Sequence, residues 1–131
     1  MQANRCFLST PFSGEFKQVR QAIAEALRRA GVETILVEDF ASPGGLTEVM
    51  LNLIGTATFV IADVTANNPW VLYEVGLAHG MQKQVFLITQ DLESVPGPLT
   101  GYFHFAYETR DLTRLQKAVI LWTRRLFSRN P

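Results

Sequence analysis

The stretch Thr58-Phe59-Val60-Ile61-Ala62-Asp63-Val64-Thr65-Ala66-Asn67-Asn68-Pro69-Trp70-Val71-Leu72-Tyr73-Glu74-Val75-Gly76-Leu77-Ala78-His79-Gly80 decides the fold class. Thr58 to Ala62 are almost unbroken in apolar and β-branched character, which reads as a strand covered on both faces and central in its sheet. A polar loop follows over residues 63–68. Pro69 suits the first position of a helix and Asn68 its N-cap, so buried strand passes directly into a helix predicted to run to about Lys83.

The same alternation continues on either side. Upstream, Arg5-Cys6-Phe7-Leu8-Ser9 reads as a first strand, and residues 10–14 as a loop. A helix from Glu15 carries Phe16, Val19, Ile23, Leu27 and Ala30 on one face, with Gly31 as its stop. Thr34-Ile35-Leu36-Val37 is a second strand ending at Glu38 and Asp39. After Ser42-Pro43-Gly44-Gly45, a second helix carries Leu46, Val49, Met50, Leu53 and Ile54. Downstream, Val85-Phe86-Leu87-Ile88 is a fourth strand, residues 91–101 are a Pro/Gly-rich loop, and residues 103–107 suit a fifth strand. The last helix starts near Asp111 with Leu112, Leu115, Val119, Trp122 and Leu126 on one face.

Apolar strands alternating with helices, joined by right-handed crossovers, predict a flavodoxin-like α/β fold. The expected architecture is a three-layer α/β/α sandwich around a five-stranded parallel sheet of order 2-1-3-4-5, with residues 1–131 forming a single domain. Ligands bind outside the carboxyl ends of such strands. That directs attention to residues 9–14, to Glu38 and Asp39, and to residues 63–74 and 89–91.

Composition narrows the function classes. Of 131 residues, 47% are hydrophobic and 18% charged, which excludes a disordered chain. Twelve Lys and Arg balance twelve Asp and Glu, so nothing global favours a nucleic acid polymer or an anionic membrane as partner. The single cysteine, Cys6, builds no disulfide framework, and no Cys/His spacing suggests a metal. No apolar run approaches the roughly 20 residues of a membrane span, and the start of the chain does not read as a signal peptide. The expected location is cytoplasmic.

Asp63 is the first polar residue after the central strand, and Glu74 lies in the second turn of the helix that follows. At about 100° per residue, the positions near Glu74 are Trp70, Val71, Leu77 and Ala78, all uncharged. Two carboxylates so placed suit an acid/base or nucleophile pair converging on one pocket. On spacing alone, the favoured reading is that Asp63 caps its loop and Glu74 stands in solvent. Gly76 and Gly80 within the helix point to close packing against the sheet or a ligand. His79 lies about 140° from Glu74 around the helix, which suits packing or a helix end.

Residues 62–79 resemble the pattern Ala-Asp-x-Thr-x-x-Asn-Pro-Asn-Val-x-Tyr-Glu-Leu-Gly-x-Ala-His of the nucleoside 2-deoxyribosyltransferase-like superfamily. Cys6-Phe7-Leu8-Ser9-Thr10-Pro11-Phe12-Ser13 resembles that superfamily's first strand and Pro-Phe loop, and order and spacing agree to about Thr89. The superfamily includes nucleoside deoxyribosyltransferases, nucleotide N-glycosidases and TIR-like nucleotide-binding proteins. The resemblance implies that Glu74 attacks the anomeric carbon of a sugar, with Tyr73 helping to fix it. Asp63 would be a neighbouring carboxylate for sugar hydroxyls or proton transfer. It also implies that Ser9, Thr10, Phe12, Ser13 and Gly14 hold the ribose or a 5′-phosphate, with Lys17 one turn on, and that Asn68 and Trp70 complete the substrate-binding set. No cofactor is implied.

The chain departs from the pattern where Trp70 replaces the second Asn of Asn-Pro-Asn, Val75 the Leu of Tyr-Glu-Leu-Gly, and Gln82 the usual Gly before Lys. Trp70 either stacks on a base or staples the helix start. The expected function is cleavage or transfer at the N-glycosidic bond of a small-molecule nucleoside or nucleotide. The alternatives are a non-catalytic TIR-like sensing or interaction domain and an NAD-cleaving glycohydrolase. Ile120 and Phe127 form a second stripe on the last helix, and Leu51 is out of line on the second. A monomer would expose such a stripe, so a homodimer or higher homo-oligomer is expected.

Overall fold

The computed structural model describes residues 4–37 and 46–128. Its strands are β1 (Arg5–Ser9), β2 (Glu33–Ile35), β3 (Phe59–Asp63), β4 (Val85–Thr89) and β5 (His104–Ala106). Its helices are α1 (Lys17–Arg29), α2 (Leu46–Thr56), α3 (Pro69–Gly80) and α4 (Leu112–Ser128). All strand pairings are parallel and the order is β2-β1-β3-β4-β5. This is the flavodoxin-like arrangement the alternating pattern predicts.

β3 is buried at every position, as expected for the centre of a sheet covered on both faces. Side chains alternate along each strand and so divide the core in two. Cys6, Leu8, Phe59, Ile61 and Ile88 pack with Val19, Ile23 and Leu27 of α1 and Leu115 and Val119 of α4. Phe7, Val60, Ala62 and Leu87 face the other way, towards α2 and α3. Burial pushes the Cys6 thiol far above its usual pKa, which makes it an inert core residue.

Three features differ from expectation. β2 is short, and Glu38, Asp39 and Ser42-Pro43-Gly44-Gly45 lie outside the described residues. The first helical segment opens as a 3-10 turn over Gly14–Phe16 before α1 proper. Ile120 and Phe127 do not form an exposed stripe. Both pack against the α1/α4 core, where Phe127 meets the edge of Phe59 at 6.3 Å. Trp122 stacks on Phe86 at 5.0 Å and meets Phe105 edge-on at 5.5 Å, so α4 covers a broad apolar strip of sheet. Burying such side chains is worth up to about 1.5–3 kcal/mol each, which favours a wider contact face than one narrow stripe. Ile120 and Phe127 therefore give self-association no support, whereas Leu51 of α2 is exposed as expected, and Leu121 is the exposed apolar residue of α4. Among the described residues no helix is long and apolar enough to cross a membrane.

Candidate active site at the carboxyl end of the sheet

α3 begins where its sequence says it should. The side-chain oxygen of Asn68 accepts from the backbone N–H groups of Trp70 at 3.0 Å and Val71 at 3.2 Å, with Pro69 at the first turn. Asn68 is thus engaged in the cap, the role its position predicts. The buried residues of α3 are Val71, Glu74, Val75 and Ala78, a single core-facing stripe that includes the glutamate. Glu74 is only 2% exposed.

Ser9 reaches the same place from the sheet. As the last residue of β1 it shares the side of Phe7, facing α2 and α3, and its hydroxyl donates to Oε1 of Glu74 at 2.8 Å. A buried carboxylate is costly without such donors, so this bond both stabilises Glu74 and fixes its direction. Ser9, not singled out for this by the sequence, is a donor to the glutamate. Tyr73 is 46% exposed, and its ring stacks beside Trp70 with centroids 6.4 Å apart.

The loop after β1 is held from below by a residue the sequence pattern did not reveal. Arg20 of α1 donates from Nη1 to the Pro11 carbonyl at 2.8 Å and to Thr10 Oγ1 at 3.4 Å. Thr10 and Pro11 are buried, whereas Phe12, Ser13, Gly14 and Lys17 are exposed. With Ser9 turned inward to Glu74, Ser13 presents the exposed hydroxyl of this loop. Phe12 lies 6.3 Å from Trp70, ring centre to ring centre, so Phe12, Trp70 and Tyr73 make a partly exposed aromatic row. Trp70 stands one helical turn before Glu74.

Asp63 does not converge on Glu74. It alternates with Ala62 and falls on the side of Phe59 and Ile61, facing α1 and α4, the opposite side of the sheet from Glu74. It is fully buried. Tyr107 donates its hydroxyl to Oδ2, and Thr65 donates to Oδ1 from its backbone N–H at 3.0 Å and its hydroxyl at 2.5 Å. Burial raises the Asp63 carboxyl pKa above its usual 3.8, against the opposing pull of those hydrogen bonds. Burial and the neighbouring Asp63 together keep the Tyr107 hydroxyl protonated. The expected convergence of Asp63 on Glu74 is therefore corrected: its oxygens accept from Thr65 and Tyr107 on the other side of the sheet.

Gly76 and Gly80 are also not contact points. A Cβ built on either would meet nothing within 4 Å, and both are exposed. His79 packs against Tyr102, rings stacked at 4.5 Å. Arg20 reaches back nine and ten residues across its own loop, and Tyr107 meets a partner 44 residues away, so neither contact shows in a helical or strand periodicity. Among the described residues no group of three or more His, Cys, Asp or Glu is placed to hold a metal ion.

No protein-family model and no curated protein matches the chain in sequence. Solved structures do match. One is a 2-deoxyribosyltransferase from Bacillus psychrosaccharolyticus, 21% identical over 86% of this chain and 90% of that one, with a TM-score of 0.64. The CMP N-glycosidase of Clostridium botulinum is 22% identical over 88% and 99% of the two chains, also with a TM-score of 0.64. The TIR domain of a Toll-related receptor from Hydra magnipapillata is 17% identical over 91% and 97%, with a TM-score of 0.70. What this chain shares with all three is the fold.

Proposed function

We propose that the chain breaks the N-glycosidic bond of a small nucleoside or nucleotide, by hydrolysis or by transfer, with Glu74 as nucleophile. The observation that carries this reading is the placement of Glu74: a carboxylate on the buried stripe of α3, oriented by Ser9 at 2.8 Å, beside an aromatic row at the ligand end of the sheet. In the proposed reaction a Glu74 oxygen bonds to the anomeric carbon as the bond from that carbon to the base nitrogen breaks. The base leaves with the electron pair and takes up a proton from solvent. Water, or the nitrogen of a second base, then displaces the carboxylate. The transition state carries positive charge on the sugar, which a negative group nearby stabilises and a low-dielectric setting strengthens.

Phe12, Trp70 and Tyr73 offer aromatic faces to the base, and Thr10, Ser13 and Gly14 border the space for the sugar or a 5′-phosphate. Asn68 serves this site by holding the start of α3. Two of the similar structures are named for glycosyl transfer or cleavage and one for the TIR domain of a receptor, so this fold carries more than one kind of protein.

The test is release of free base from nucleosides, nucleoside 5′-monophosphates and NAD, with Glu74→Gln as control. Base release that disappears in the folded Glu74→Gln protein supports the reading. Release that persists in that variant overturns it. The 2% exposure of Glu74 also suits a non-catalytic sensing domain, and a chain that binds nucleotide without releasing base from any substrate favours that second reading.

A further inference from the structure

We propose that Asp63 and Thr65 are positioning residues for Glu74, acting through a closed hydrogen-bond circuit that holds the loop before α3. Their positioning role rests on Glu74 being the nucleophile; the circuit itself does not.

The circuit has four members. Gln90 donates its backbone N–H to Thr65 Oγ1 at 3.0 Å, and Thr65 Oγ1 donates onward to Asp63 Oδ1 at 2.5 Å. Gln90 also donates from Nε2 to the Tyr107 hydroxyl at 3.0 Å, and that hydroxyl donates to Asp63 Oδ2. Each hydroxyl both accepts and donates, so the bonds run without conflict from the two Gln90 N–H groups to the two carboxylate oxygens. The carboxyl ends of β3, β4 and β5 are thereby tied together around a buried acid.

What the circuit holds is strained. Ala66 has φ 60° and Asn67 φ 52°, two successive side-chain-bearing residues in the left-handed region. Asn tolerates that conformation; Ala gains nothing from it, and such geometry persists only where surrounding bonds over-determine it. Thr65 supplies them on one side, through its N–H and hydroxyl on Asp63. On the other side Asn68 follows at once, capping Trp70 and Val71. The entry angle of α3, and with it the reach of Glu74 to Ser9, therefore depends on a loop clamped from the opposite side of the sheet. This explains a fully buried aspartate that does not face the proposed site.

The experiment uses the full chain. Thr65→Val keeps the side-chain shape and removes both hydroxyl bonds, whereas Thr65→Ser keeps the hydroxyl. Amide hydrogen exchange at Trp70, Val71 and Leu72, read by NMR, should rise at least tenfold in Thr65→Val relative to Phe7 and Ile61 in the sheet. It should return to the native rate in Thr65→Ser. In base-release assays Thr65→Val should lower kcat at least tenfold with KM within twofold. Unchanged exchange at Trp70 and Val71 in a folded Thr65→Val protein overturns the circuit's role. Raised exchange with unchanged kcat overturns positioning and leaves only a structural clamp. Should Thr65→Val fail to fold, Tyr107→Phe opens the same circuit elsewhere and is held to the same two outcomes. A native chain that releases no base defeats the glycosidase reading, while the exchange result still decides the circuit.

Discussion

The hydroxyl of Ser9 lies 2.8 Å from Oε1 of Glu74 and joins the last residue of β1 to the second turn of α3. This one bond crosses from sheet to helix at the edge where parallel α/β folds bind ligands. A carboxylate held in this way points in one direction and does not relax into solvent.

Ser9→Ala removes that donor and leaves the strand otherwise intact. A hydrogen bond to a charged group contributes about 1.5–3 kcal/mol, and a buried carboxylate deprived of it keeps its desolvation cost. Urea denaturation at neutral pH should show a loss in that range. Base release should fall by at least tenfold, because the glutamate loses its fixed orientation. A variant as stable and as active as the native protein would show that Ser9 does not hold Glu74 in solution.

Asp63 gives a pH dependence of definite sign. Burial raises its carboxyl pKa above the usual 3.8, so the folded chain keeps this proton to higher pH than the unfolded chain. Within the window opening at 3.8 and closing at the raised value, the folded state binds more protons. Stability contributed by this group is thus full below 3.8 and lost as pH rises through the window. Glu25 and Asp91, whose carboxyl pKa values are lowered by their hydrogen-bond partners, contribute in the opposite sense, so the decline should show in the difference in urea midpoint between the native chain and Asp63→Asn, measured from below pH 4 upward. An identical pH profile in the variant would contradict the shift.

Much of this was legible from sequence, and the failures share a cause. The sheet and its order followed from apolar runs alternating with amphipathic helices, and Asn68 and Pro69 announced the start of α3 by known capping chemistry. Glu74 stood out as a carboxylate among uncharged helix neighbours. The convergence of Asp63 on Glu74 failed because it depends on strand direction: Ser9 pairs with Ala62, so Asp63, one residue further on, turns its side chain to the other face. Tyr107 reads as the last residue of a strand and not as part of a site, because its meeting with Asp63 is set by the ordering of β3, β4 and β5. Ile120 and Phe127 were misjudged because a single helical stripe understates the width of the strip that α4 covers.

Gln82 offers a test of the backbone at the end of α3. Its φ of 60° places it in the left-handed region, and Lys83 N–H donates back to Ala78 at 2.9 Å. The same closure ends α1, where Gly31 has φ 78° and Val32 donates to Leu27 at 2.8 Å. Glycine occupies this position without steric cost, while other residues do not. Gln82→Gly should therefore stabilise the chain by about 0.5–1 kcal/mol, net of the extra freedom glycine gains on unfolding. A thermal scan should show a rise of roughly 2–5 °C, and a fall would mean that the Gln82 side chain contributes more than its backbone strain costs.

Trp70 decides how the proposed site meets its base. Its ring lies between Phe12 and Tyr73, which are 48% and 46% exposed, and its indole Nε1 is buried with no partner among the described residues. If the row is a platform for a planar base, Trp70→Ala removes a stacking surface worth about 1–3 kcal/mol, so KM should rise roughly tenfold or more while kcat changes little. If Trp70 instead staples the start of α3, the same variant should lower the melting temperature and kcat together, because Glu74 sits one turn further on. The two outcomes separate in a single variant, provided both quantities are measured. A direct signal is available because the chain has two tryptophans and Trp122 is packed between Phe86 and Phe105. In a Trp122→Phe background, fluorescence reports Trp70 alone, and a stacking nucleobase should quench it at the concentration that half-saturates base release. Saturation without any change in fluorescence would place the base elsewhere and leave the staple as the role of Trp70.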